Sequence, residues 1–317
     1  APNAPTIVNL QDNVGQSQGF FASGVNTDDA TPTLTGSAEA GAVVKLYNNG
    51  VEIGSTTANA AGVWTYTPAS NQANGVYNIT AKALTFEQAL ADEAIDVIYV
   101  ASPHSEHYAQ AKAALEAGKH VLVEKAFTMD AAEAIELDAL AKSKNLFLME
   151  AMWTKFLPLH NAVKTMIESG ELGKLVMIEA NFGMNAPFDN DHRLFNFELG
   201  GGTTLDQGVY TTTFNRWMAG SPIAKQITFG SRFENGADAY ADTTFLFENG
   251  VTGHGITSIN ANVGFGARVV GSNKTVELIG SFWNARELNI LTFSNQAPPT
   301  REHVAYETKG AGYAHML

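Results

Sequence analysis

The chain has 317 residues, 45% hydrophobic and 16% charged, a balance that supports a packed core and excludes a disordered chain. With 19 basic against 32 acidic residues the formal charge is −13, so no basic excess exists to displace counterions from a phosphate backbone, and nucleic acid is not an expected partner. No apolar run approaches the ~20 residues of a membrane span, and the absence of Cys excludes disulfides, thiolate metal sites and a Cys nucleophile.

The opening Ala1-Pro2-Asn3 is neither basic nor followed by an apolar run, so no signal peptide is expected in it. Composition then changes near residue 83. Residues 1–83 hold two basic residues, Lys45 and Lys82, while all six Arg, all eight His and all eight Met lie beyond. Short alternating runs in this segment predict strands: Thr33–Thr35, Val43–Tyr47, Val51–Ile53, Val63–Thr67 and Val76–Thr80. Asn49-Gly50 between two of them predicts a hairpin, because a type I′ turn needs positive φ at both central positions. Even spacing of short strands predicts a β-sandwich. Asp12, Asp28 and Asp29 read as turn and cap chemistry, with a calcium site as the other reading.

The stretches Asp28–Gly36, Gly62–Pro68 and Asn74–Tyr77 resemble bacterial Ig-like repeats of surface adhesins. That resemblance implies an all-β Ig-like module over 1–83 and a cell-surface or secreted location.

From residue 84 the pattern changes to α/β. A helical Phe86–Ala91 precedes an apolar strand Val97–Ala101, a helix Glu106–Ala117 stopped by Gly118, and a strand His120–Lys125. Asp130 predicts the cap of a helix Ala131–Ser143, and Leu146–Met149 a third strand. Alternation of strand and helix implies a parallel sheet. Beyond residue 151 the runs 176–182, 226–233, 243–247, 251–258, 268–271 and 275–279 alternate as strands.

Asp96–His107, Ala117–Lys125, Met149–Thr154, Ala186–Asp189, His192–Phe195, Leu199–Tyr210 and Gly312–His315 resemble the glucose–fructose oxidoreductase / inositol dehydrogenase family, in its dihydrodiol and D-xylose dehydrogenase branch. The resemblance implies NADP- or NAD-dependent hydride transfer to or from an alcohol of a sugar or dihydrodiol, and a cytoplasmic location. It also implies an open, mostly antiparallel C-terminal sheet that shapes the pocket and forms a homo-oligomer interface. The family's Gly-x-Gly-x-x-Gly turn occurs nowhere in the sequence. The expectation is therefore a fusion: an Ig-like sandwich (1–83), an incomplete Rossmann half (84–150) and a shortened α+β domain (151–317), with weak or no dinucleotide binding. A surface stalk carrying a catalytically dead fragment is the alternative.

By that resemblance Lys125, Asp206 and Tyr210 are the catalytic residues, with Tyr210 as base, Lys125 favouring its phenolate and Asp206 orienting Lys125. Pro103, His107, Glu124 and Lys125 flank the cofactor, and Trp153, Phe156, Phe182 and Arg193 line the substrate pocket. Ala126 follows Lys125 where the family has Pro, so a trans bond is expected there. His104–His107 and Asp189–His192 lack the ligand spacing of a metal site, and none is expected.

Overall fold

The first strands follow the alternation just described. In the computed structural model, which describes residues 4–15, 18–83, 85–294, 297–309 and 313–316, the chain divides into units Ala1–Asp96 and Val97–Leu317.

The first unit contains β1 (Thr6–Asp12), β2 (Gly19–Phe21), β3 (Thr33–Ser37), β4 (Val43–Asn48), β5 (Val51–Thr57), β6 (Val63–Tyr66), β7 (Ile79–Ala83) and helix α1 (Phe86–Ala91). Its strands pair antiparallel in two sheets, ordered β2-β1-β3-β6 and β5-β4-β7. Alternate residues of β4, Val44 and Leu46, are wholly buried and meet Leu34, Ala58 and Trp64 in one core cluster. The β4–β5 turn has φ of 51° at Asn49 and 81° at Gly50, the positive values its sequence predicts. Asp12 accepts from the Val14 amide and the Thr27 hydroxyl, and Asp29 from the Thr31 amide, so both carboxylates serve turns.

One expectation needs correction here: the strand expected from Val76 begins at Ile79, and Val76 is 92% exposed. The helix expected over Phe86–Ala91 forms there as α1. Lys45 on β4 pairs with Asp92 and Glu52, and Asp92 is the C-cap of α1, so an ion pair fastens this helix end to the sheet. A cavity of about 700 Å³ in this unit is lined by Leu10, Phe21, Leu34, Ile53, Tyr77 and Ile79 among others.

The second unit opens with β8 (Val97–Val100), α2 (His104–Glu116), β9 (His120–Val123), α3 (Ala131–Lys144) and β10 (Leu148–Glu150). These strands form a parallel sheet ordered β10-β9-β8. Asp130 caps α3 by accepting from the Ala132 and Glu133 amides. Among the described residues β8 is an edge strand, with Val97 54% and Tyr99 52% exposed.

A 3-10 turn (Trp153–Phe156) leads into α4 (Pro158–Glu168), β11 (Leu175–Asn185), a π-helical turn (Thr204–Gly208) and α5 (Val209–Ala219). Then come β12 (Ile223–Arg232), β13 (Asp238–Phe247), β14 (Thr252–Ser258), β15 (Asn260–Gly264), β16 (Ala267–Gly271), β17 (Lys274–Ile279), β18 (Glu287–Ser294) and β19 (Ala297–Ala305). They form a sheet ordered β12-β13-β14-β11-β16-β17-β18-β19, with β15 also on β11. The sheet is mixed, because β11 and β14 run parallel while the other described pairs are antiparallel. One face is buried: Ile178, Phe245, Val269, Val276 and Leu288 pack with Leu159 and Val163 of α4 and Phe214 and Met218 of α5. Ile227, Phe229 and Leu246 remain 48%, 71% and 43% exposed.

Candidate active site

Lys125 lies two residues beyond the C-terminal end of β9, the end at which open α/β sheets take ligands. Its peptide bond to Ala126 is cis, which corrects the expectation of a trans bond there. Two side chains hold the backbone that follows. The His107 Nδ1 sits 2.8 Å from the Ala126 carbonyl oxygen, and the Phe127 amide donates to Glu150 Oε1 at 3.1 Å. The other ring nitrogen of His107 lies 2.9 Å from the Ser102 carbonyl, so this side chain also fixes the loop entering α2.

The Lys125 ammonium donates to the Asp206 backbone oxygen at 2.8 Å and to its Oδ1 at 3.1 Å. Arg193 donates to the same Oδ1 at 3.1 Å from a side chain 58% exposed. Burial opposes ionisation of Asp206, but the combined fields and hydrogen bonds of Lys125 and Arg193 outweigh it and hold the carboxyl below the usual carboxylate range. Burial likewise pushes Glu150 up, against the Phe127 amide that favours its anion, and pushes His104 down.

Asp206 projects from the π turn and Tyr210 from the first turn of α5. Such π turns are rare and recur at functional sites. The turn is anchored at both ends. Asp238 accepts from the Thr204 amide and hydroxyl at 2.7 and 2.6 Å. The side-chain amide of the wholly buried Gln207 faces the Phe182 and Ser258 carbonyls, each 3.0 Å away, and two acceptors there assign its Nε2 to that side.

Lys125 Nζ stands 5.1 Å from the Tyr210 ring centroid, and the Trp153 indole N–H donates to the Tyr210 oxygen at 3.2 Å. Phe182 approaches Tyr210 at 5.7 Å and stacks face to face on Trp283, at 3.6 Å and 3°. Phe265 meets the edge of both. Lys125, Asp206, Arg193, Tyr210, Trp153 and Phe182 therefore converge. Phe156 stays 37% exposed at the end of its 3-10 turn. Pro103 occupies the N-cap of α2, and Glu124 accepts from the Tyr99 hydroxyl and the Lys125 amide.

Trp283 was not among the expected pocket residues. It lies in a short 3-10 turn after β17 with no periodic pattern around it. Thr154 and His160 hold that turn by donating to the Trp283 carbonyl at 2.9 Å and lying 2.7 Å from the Phe282 carbonyl. No metal-ligating cluster of three or more side chains is found among the described residues.

Comparison with known proteins places this geometry. The description "Oxidoreductase family, NAD-binding Rossmann fold" fits residues 22–152, and "GFO/IDH/MocA C-terminal domain" fits residues 160–277. The first match corrects the expected fold class. It opens at residue 22 and runs through the stretch expected as a separate Ig-like sandwich, so neither an adhesin repeat nor a shortened Rossmann half is retained, and the stalk reading falls with them. The supported fold class is a Rossmann NAD-binding domain followed by a domain with a mixed sheet. Parallel pairing within the match is described for β10-β9-β8.

D-xylose 1-dehydrogenase (NADP(+)) of Hypocrea jecorina is 44% identical over 138 residues, 41% of this chain and 35% of that protein. Trans-1,2-dihydrobenzene-1,2-diol dehydrogenase of Macaca fuscata fuscata is 31% identical over 234 residues, 73% of this chain and 69% of that protein. The chain thus spans about a third of the first relative and about two thirds of the second. Among solved structures, aldose-aldose oxidoreductase from Caulobacter crescentus superposes with a TM-score of 0.64 at 23% identity, over 73% of this chain and 69% of that one, a likeness of fold. With the Lys125–Asp206 pair and Tyr210 brought together between a parallel sheet and a mixed one, and with relatives matched across both, this chain belongs to the Gfo/Idh/MocA oxidoreductase family.

Proposed function

We propose that this site interconverts an alcohol and a carbonyl on a sugar or a trans-dihydrodiol, with NADP or NAD as the hydride partner. The observation that carries the reading is the buried Lys125–Asp206 pair beside Tyr210. A phenol has an ordinary pKa near ~10, so it accepts a proton near neutrality only where its anion is favoured. The Lys125 charge over the ring favours that anion, and Asp206 fixes where the ammonium points. Tyr210 then takes the substrate hydroxyl proton as the carbonyl forms, and returns it in the reverse direction. A bound nicotinamide ring supplies the acceptor or donor of hydride.

The residues present suit the nicotinamide end of such a cofactor: Glu124 and Lys125 follow directly on β9, and α2 begins just after β8. A glycine-rich phosphate turn is not found in the sequence. We therefore expect this chain to hold the dinucleotide weakly, with a dissociation constant above ~1 mM. The stacked Phe182–Trp283 pair supports a substrate with a flat apolar face, a sugar ring or a diene ring. The apolar residues Ile227, Phe229 and Leu246 on the second unit's sheet support a homo-oligomer formed through it.

The test is reduction of NADP⁺ by D-xylose and by trans-1,2-dihydrobenzene-1,2-diol at millimolar cofactor, with NADPH titrated against the protein by fluorescence. Turnover of neither alcohol would reject the function, and a micromolar dissociation constant would reject the weak binding.

A further inference from the structure

We propose that Trp153 is more than a wall of the pocket: its indole N–H stabilises the ionised form of Tyr210, making Trp153 a positioning residue for proton transfer. The inference rests on the reading of Tyr210 as proton acceptor and adds to it the group that acts on its oxygen.

Three observations support the assignment. The indole Nε1 lies 3.2 Å from the Tyr210 oxygen, and Trp153 and Tyr210 are only 5% and 7% exposed. An indole N–H is a donor and nothing else, so in this pair the phenol oxygen must accept. Its own proton is thereby directed away from Trp153. When the substrate O–H bond breaks and the Tyr210 O–H bond forms, or the reverse, the indole bond persists through both states. It is stronger to the phenolate than to the phenol, because hydrogen bonds to an ionised partner are roughly twice as strong as neutral ones. Shielding from water enlarges that difference.

Trp153 is also held in place independently of Tyr210. Its amide donates to the Ala151 carbonyl at 2.9 Å, and the next residue, Thr154, is tied to the Trp283 carbonyl at 2.9 Å. The indole is thus presented by a turn fixed at both sides. Lys125 acts on the face of the Tyr210 ring, at 5.1 Å from its centroid, while Trp153 acts on the oxygen itself. The two favour the same anion from different directions.

Trp153→Phe keeps an aromatic ring and removes the donor. With tyrosines labelled at the ring carbon that bears oxygen, the Tyr210 resonance is identified as the one missing in Tyr210→Phe. Its titration midpoint should rise by ~0.5–1 unit in Trp153→Phe relative to the unsubstituted protein. In the unsubstituted protein, the Trp153 indole proton should move downfield along the same titration curve. This second measurement decides the matter if Trp153→Phe fails to fold. A midpoint unchanged in a folded variant, or an indole proton indifferent to Tyr210 ionisation, would overturn the proposal. Neither readout needs turnover. Full activity in Tyr210→Phe would instead reject Tyr210 as proton acceptor while leaving the hydrogen-bond measurement to stand on its own.

Discussion

Residues 1–96 and residues 97–317 use their polar side chains in opposite ways. In the first unit they serve structure: Asp12 and Asp29 hold turns, Asn59 accepts from the Ala61 and Val63 amides within its own loop, and Lys45 ties β4 to the end of α1. In the second unit Lys125, from 81 positions away, and Arg193, from 13, meet at one carboxylate oxygen of Asp206. Local satisfaction of polar groups stabilises a loop and leaves nothing aimed at a ligand. Convergence costs desolvation of buried charge, which only an opposite charge or a function offsets. The contrast favours the second unit as the seat of the proposed chemistry, although the dinucleotide-domain match begins in the first.

The sharpest test of that contrast is catalytic. Tyr210→Phe and Lys125→Ala should each lower kcat by ~10²–10⁴-fold, since each removes part of the proton path. Steady-state rates at saturating alcohol decide it, and unsubstituted rates in either variant would leave the convergence without a catalytic meaning. Trp64→Ala comes next. It empties the core around Val44 and Leu46 and should cost about 3–5 kcal/mol in the first unit. Calorimetry should show one transition moving down while that of the second unit stays. A tenfold loss of NADPH affinity in the still-folded variant would break the comparison, by giving residues 1–96 a share in the cofactor site.

A pH effect of similar size is expected in the second unit. His160 is fully buried and burial pushes it down to about 4, so the folded state holds it neutral while the unfolded chain protonates it near the ordinary histidine value of 6.5. Its contribution is complete above that unfolded value and falls as pH drops toward 4, by about 3 kcal/mol in all. His160→Gln, which keeps a donor for the Phe282 carbonyl, should flatten the stability curve across that window in denaturant titrations. Asp206 adds a drop at lower pH: its depressed carboxyl stabilises the fold above the ordinary carboxylate value and loses that effect as pH falls through the folded one.

The smallest effect concerns the apolar residues of the second unit's sheet. Phe229→Lys should weaken self-association roughly tenfold and leave the site untouched, read by light scattering on eluting protein. Monomer at every concentration in the unsubstituted chain would reject the oligomer.

Much of the local structure was legible from residue types alone. The Asn49-Gly50 hairpin, the Asp130 cap and the strand–helix alternation over 97–150 depend on neighbours within a few residues, and local chemistry decides them. Val76 and Tyr77 misled because alternation by itself does not pair a strand, and both lie exposed ahead of β7. The Ig-like resemblance misled for a related reason: short turn-bounded strands are shared by many β architectures, and no single stretch of them specifies a family.

The sequence by itself carried the family, the α/β character of residues 97–150 and the grouping of Lys125, Asp206 and Tyr210, which the fold brings side by side, because motif spacing survives in one dimension. Tertiary structure alone decided what acts on that set. Trp283 reaches Phe182 across 101 positions of chain, Arg193 reaches Asp206 through a loop, Trp153 finds the Tyr210 oxygen across 57, and the π turn is pinned by Asp238 and Gln207. None of these pairs shares a helical or strand period. Their meeting is set by how the two sheets and α5 pack, and side-chain packing is a property of the whole fold rather than of any segment.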